Sequence, residues 1–292
     1  MSSKLTALTA ATDFLDTDIF YVVKDPGGSP LSRKITSLTY QRYIPIPQNG
    51  ITGLTLSNNV SDANNDVDIA VGRVGADTGD YNLILTTPRT KQLDAVWAVG
   101  TNQGGLDGGT KANSTWYHAW LIARVDTHVV DMLYSTSATA PTMPASYTKK
   151  RRIGAVKTDA SGNLLPFLQY DDNFLWKSPP ALDVDTAVLS TTRLDYALVS
   201  VPAGVVLQAL VNITVTGAAT RTVYISNPNL TDLAPSSTAT PLSTNTSVVA
   251  APIFDKISLY TDINAKISAR SNNSATTFKV AVLGWTDPRG KY

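Results

Sequence analysis

Hydrophobic residues in this chain recur mostly at every second position. The clearest run is Val205, Leu207, Ala209, Val211, Ile213 and Val215, with Gln208, Asn212 and Thr214 between them. A period of two places one set on a buried face and the other toward solvent, as in a half-buried strand. A one-residue slip would expose the whole apolar set, so the register here is strongly specified. Further strands are predicted at Arg221 to Ser226, Lys256 to Asp262 and Phe278 to Trp285. Thr231 to Thr246, rich in Ser, Thr, Pro and Asn, reads as a long surface loop.

Upstream, strands are expected at Val67 to Val71 and Asn82 to Leu85, followed by a long run from Thr115 to Tyr134. Within it Trp116, His118 and Trp120 alternate with Tyr117, Ala119 and Leu121. Arg124-Val125-Asp126-Thr127 interrupts the run, which predicts two antiparallel strands joined by a short turn. Near the N-terminus, Asp18 to Val23 and Leu31 to Thr36 flank Asp25-Pro26-Gly27-Gly28-Ser29-Pro30, the signature of a hairpin with a long loop. Such a hairpin has few large apolar side chains and is marginally stable alone, so it needs a partner surface.

Two breaks divide the chain. Pro45-Ile46-Pro47-Gln48-Asn49-Gly50 restricts the backbone and supplies an Asn-Gly turn, and Ser178-Pro179-Pro180 disfavours both helix and central strand. The expected organisation is all-β: a small N-terminal β-hairpin module (1–48), then two antiparallel β-sandwich domains, at 49–178 and 179–292. No internal repeat is visible.

Composition narrows the functional classes. The chain has 292 residues, 24 Lys+Arg, 23 Asp+Glu, two His and no Cys. A formal charge of +1 provides no general field for nucleic acid or an anionic membrane surface. Only 16 % of residues are charged, against about 25 % in an ordinary soluble domain, while 37 are Thr. Abundant β-branched, uncharged side chains favour strands over charged surface helices. No apolar run approaches the ~20 residues of a spanning helix, and Met1 to Thr9 lacks the apolar stretch of a secretory signal. Without Cys there are no disulfides, thiolate metal sites or Cys nucleophiles. Neither a cofactor nor a metal centre is expected.

Candidate chemistry is sparse. Asp62, Asn64, Asp66 and Asp68 place oxygen ligands at alternate positions, as calcium loops do, but Val67 stands where such a loop needs Gly and Arg73 where it needs Glu. A polar turn is the plainer reading. Lys149-Lys150-Arg151-Arg152 offers a basic patch, or else a solvated strand end or subunit contact. His118 and His128 are the only imidazole bases, and no Gly-x-Ser-x-Gly elbow occurs. Asp171-Asp172 would suit a glycosidase only from a loop, because adjacent strand residues face opposite ways. Trp116, Tyr117 and Trp120 are candidate platforms for a sugar ring, and core packing uses the same residues. Trp176 and Trp285 suit domain or subunit contacts.

Several of these segments resemble a known family. Leu5 to Thr12, Asp16 to Val23 and Arg33 to Thr36 are similar to the opening module of tail fibre, tailspike and related virion proteins of tailed bacteriophages. Ser114 to Trp120, Asp131 to Ser137 and Tyr147 to Gly154 resemble a domain recurrent in phage structural proteins, and Gly284 to Gly290 its last strand and tail. Trp116-Tyr117-His118 also resembles a strand of concanavalin-type jelly rolls. The resemblance implies a virion component, assembled in the host cytoplasm, with jelly-roll-like domains and homotrimeric assembly. Its partners would be other virion proteins (portal, tail or capsid). Ile19, Phe20, Tyr21, Val22, Val23 and Ile35 would anchor it to the particle. A short fibre, collar or head-decoration protein fits better than a long fibre or a tailspike, because no long repetitive stretch is present. A receptor-binding fibre protein holding a host-surface glycan is the alternative, and a glycan depolymerase the more remote one.

Overall fold

The computed structural model describes residues 19–24, 31–44, 47, 50–179, 181–217, 221–236, 244–248 and 253–291; for 19–24, 31–34, 244–248 and 253–255 it describes the backbone only. Among them are twenty-two strands and one short helix. The protein is all-β, as the alternation predicts.

β1 (Ile19–Lys24) and β2 (Leu31–Thr36) form a two-stranded antiparallel sheet, in the register Phe20 with Ile35 and Val22 with Arg33. α1 (Ser37–Tyr43) follows directly. The next strands are short: β3 (Ile51–Gly53), β4 (Leu56–Asn58), β5 (Asp66–Ile69), β6 (Gly72–Gly75) and β7 (Asn82–Leu85). Then come β8 (Arg89–Val96), β9 (Gln103–Leu106), β10 (Trp116–Ala123), β11 (Val130–Ser135) and β12 (Lys149–Lys157). β3, β6 and β7 make a three-stranded sheet. The others build a seven-stranded sheet in the order β12-β10-β11-β9-β8-β5-β4. β9 runs parallel to both of its neighbours, so this sheet is mixed rather than wholly antiparallel.

The remaining strands are β13 (Phe167–Tyr170), β14 (Asn173–Trp176), β15 (Leu182–Thr186), β16 (Leu194–Ala197), β17 (Gln208–Thr216), β18 (Arg221–Ser226), β19 (Thr244–Val248), β20 (Ile253–Tyr260), β21 (Lys266–Ser271) and β22 (Thr277–Thr286). One sheet has the order β13-β14-β22-β17-β20, with β15 also on β22. The other has the order β16-β21-β18-β19. The hairpin β13–β14, which precedes the Ser178-Pro179-Pro180 break, is therefore hydrogen-bonded to the last strand of the chain, Phe174 opposite Trp285. β19 begins at Thr244, inside the stretch expected to be loop.

The alternation in β17 is realised as read: Ala209, Val211, Ile213 and Val215 are buried, and Asn212 is exposed. Val205 and Leu207 are also buried but precede the strand. In β22 the buried set is Phe278, Val280 and Val282, and then Trp285 breaks the parity. The cause is a bulge. Leu210 pairs with Gly284 but Val211 with Val282, so Leu283 is an extra residue that shifts the following side chains by one face. Gly284 lets β14 come close: a Cβ there would lie 2.1 Å from the Phe174 carbonyl oxygen.

β10 is covered on both faces. Tyr117, Ala119, Leu121 and Ala123 join the main core, which extends without interruption to Val211 and Val280. Trp120 and Ile122 join a smaller cluster with Leu133 and Tyr147. A strand buried on both sides gives no polar positions to mark its solvent face, so its sequence identifies a strand without orienting it.

Candidate functional site

Of the three candidate stacking residues, Tyr117 and Trp120 are buried and Trp116 is half-buried. Tyr117 and Trp120 are each 2 % exposed. The Tyr117 hydroxyl accepts from the Ala112 amide at 2.7 Å, and Trp120 Nε1 donates to the Ser137 carbonyl at 3.2 Å. Lys150 Nζ lies 4.6 Å from the Trp120 ring centroid. Trp116 is half-buried, 5.3 Å from Trp285 and 5.8 Å from Trp176 between ring centroids, and donates from Nε1 to the Val199 carbonyl. The triplet therefore makes no shared open platform, because Tyr117 and Trp120 present almost no ring surface to solvent.

The basic run is consumed internally. Lys149 and Lys150 pair with Asp80 and Asp77 at 2.6 and 2.8 Å. Arg151 and Arg152 are buried, and Arg152 grips both oxygens of the buried Asp287 at 2.6 and 2.7 Å. Its Nε donates to His118 Nδ1 at 3.0 Å. Burial and the adjacent Arg152 charge push His118 down to about 3, so it is a neutral acceptor at ordinary pH. Burial alone would raise the Asp287 carboxyl, but the Arg152 charge and hydrogen bonds take it below the usual range. Arg289, two residues on, is also buried and donates to the carbonyls of Ile153 and Leu54. Residues Asp287 and Arg289 thus tie the basic strand and the end of β22 to the segment that follows β3.

The acidic candidates are also accounted for. Both Asp62 carboxylate oxygens accept from Asn65, and Asp68 Oδ1 accepts from Asn59 and Thr90. Burial, with Asp62, Asp94 and Asp68 nearby, raises Asp66 to about 6. Among the described residues no group of three or more His, Asp or Glu is arranged to hold a metal ion. Asp171-Asp172 does lie in a turn, between β13 and β14, where Asp172 pairs with Lys291 at 2.5 Å.

What stands apart is the N-terminal arm. Of its expected anchoring residues, Ile19 to Val23 form β1, and Ile35 is half-buried on β2 opposite Phe20. The side chains of Ile19, Phe20, Tyr21, Val22 and Val23 lie outside the described residues. Thr36 caps α1 by accepting from the Thr39 amide at 3.1 Å. The helix sits on β7: Asn82, 5 % exposed, donates to the carbonyls of Gln41 and Ile44, each at 2.6 Å. Tyr43 packs edge-on to Tyr81, whose hydroxyl lies 3.0 Å from His128 Nδ1. Tyr40, Tyr43 and Ile44 stay substantially exposed beside the hairpin. The sequence did not indicate this seat, since Asn82 reads as an ordinary first residue of a strand.

Asn82→Ala removes both donors to the end of α1. We expect the amides of residues 40–44 to exchange with deuterium at least about tenfold faster, from two hydrogen bonds worth ~1 kcal/mol each. Unchanged exchange there would show that α1 is held otherwise.

A scan against known family models finds no match to this chain, and a search of characterised proteins finds none either.

Proposed function

We propose that the chain is a structural component of a tailed-bacteriophage virion: a short fibre, collar or head-decoration protein that docks through its N-terminal arm. Residues 1–48 are the anchoring module. Two β-sandwich, jelly-roll-like domains, 49–178 and 179–292, project outward in a homotrimer. The observation that carries this reading is the isolation of the hairpin. β1 and β2 pair with each other and, among the described residues, with no other strand. A two-stranded sheet is marginal in water, and its outer edges offer free backbone groups to a neighbouring chain. The exposed Tyr40, Tyr43 and Ile44 continue that surface onto α1. The β14–β22 pairing gives the projecting part continuous hydrogen bonding across the domain break, which suits a stiff projection. The family resemblance of the same N-terminal segment supplies the kind of particle.

Deleting residues 1–45 tests this. The truncated protein should remain folded, with a cooperative thermal transition, and be missing from purified particles. Normal incorporation would exclude the arm as the docking element.

A further inference from the structure

A cavity of the C-terminal region lies against β18 and β21. Its volume is about 160 Å³, and its walls include Arg193, Arg270, Tyr224, Leu230 and Leu233. That is room for several waters or one compact ring, below the ~300 Å³ of pockets that take drug-sized ligands.

Both arginines are fixed before any ligand arrives. Arg193 donates to the carbonyls of Leu230 and Pro228 at 2.6 and 3.1 Å. Carbonyls hold a guanidinium in place without neutralising it, and Arg193 meets no carboxylate among the described residues. Arg270 donates to Asp232 at 2.7 Å and to the Thr191 carbonyl, yet its Nε is buried without a partner among the described residues. An unpaired buried donor is costly, and this one belongs to a residue that lines a cavity. Two guanidinium charges against one carboxylate leave the cavity with a net charge of +1. The stretch 237–243, which follows in sequence, contains no charged residue.

The remaining wall suits more than a bare ion. Leu230 and Leu233 offer apolar surface, and Ser226 and Thr231 bring hydroxyls to the same cavity. A sugar ring presents apolar C–H faces and an equatorial rim of hydroxyls, and an acidic sugar adds one carboxylate. We propose that this cavity binds a uronic-acid unit, its carboxylate directed at Arg193 and Arg270 Nε, its ring against the leucines and Tyr224. A simple phosphate or sulfate would use the charge but leave the apolar wall without a role.

Titration of the full chain with methyl glucuronide, followed by protein-observed NMR, tests the proposal, with methyl glucoside and inorganic sulfate as companions. Saturable glucuronide binding is expected, with no saturation by the glucoside. Arg193→Gln and Arg270→Gln should each weaken it about tenfold or more, the scale of one lost charge-assisted hydrogen bond. Arg270→Gln leaves Asp232 without its cation, so Arg193→Gln, with an unchanged melting temperature, decides the matter if the other variant does not fold. Absent saturation by glucuronide, equal binding of the glucoside, equal binding of sulfate, or undiminished binding by folded Arg193→Gln would each overturn the proposal.

Discussion

Asp287→Ala is expected to destabilise the protein by about 3–5 kcal/mol, read as a lower denaturant midpoint. The aspartate is fully buried, and its removal leaves the Arg152 guanidinium buried with only the neutral His118 beside it. The loss extends further, because Asp287 Oδ1 also accepts the Arg289 amide at 2.8 Å and so shapes the turn that carries Arg289 to Leu54. Removing both charges at once should cost less than removing one, since a buried pair replaced by apolar groups is often near neutral. Arg152→Met with Asp287→Leu should therefore recover part of the loss. A single-variant cost below about 1 kcal/mol, the range of an exposed pair, would show that the tail does not lock the fold.

The same network sets an acid limit. His118 is held near 3 against an ordinary 6.5, so below about pH 6.5 the unfolded chain takes up a proton that the folded protein refuses. Its contribution is present above 6.5 and declines as pH falls toward 3. The depressed Asp287 acts in the same direction at the acid end, as pH drops below the ordinary 3.8. Asp66 has the opposite sign. Raised to about 6, it costs stability once ionised, a cost that grows from about pH 3.8 to 6 and is moderated by its partial exposure.

Trp285→Ala should be comparably severe, about 3–5 kcal/mol, because the ring lies between segments from both sides of the 178–180 break. It stacks on Phe174 with centroids 5.1 Å apart and planes 4° from parallel, and meets Trp116 and Trp176 at 5.3 and 5.1 Å. Its buried Nε1 has no hydrogen-bond partner among the described residues, so Trp285→Phe sacrifices volume but no satisfied donor there. We expect that variant to cost less than half as much as Trp285→Ala. Equal midpoints for the alanine variant and the parent would mean that this aromatic cluster does not couple the two parts.

Much of the scaffold was legible because one face of a strand was polar. β17 shows this, and the polar break at Arg124-Val125-Asp126-Thr127 marks the turn between β10 and β11. Legibility failed where alternation was absent. Short β3 and β4 carry too few residues to show a period, and β12 hides behind four consecutive cations. Nothing local says that Arg152 will meet Asp287, or that Lys91 will be buried 3.4 Å from Asp131, because both partners are brought in by long-range pairing. For the aromatic candidates the sequence left sugar stacking and core packing side by side, because Trp116 and Trp120 sit on a strand enclosed on both faces. The cavity at Arg193 and Arg270 was invisible in sequence, since its walls come from separate strands and the loop after β18. The hairpin was visible because its turn chemistry and flanking strands are contiguous; its seat on Asn82 was not.

Docking through the arm is the central claim, and cryo-electron microscopy of assembled particles tests it most directly. The account predicts density for the hairpin of residues 19–36 enclosed by neighbouring virion subunits, with the β-domains extending away from the surface. A reconstruction with the β-domains seated on the particle and the hairpin at the free end, or particles lacking the chain altogether, would contradict it.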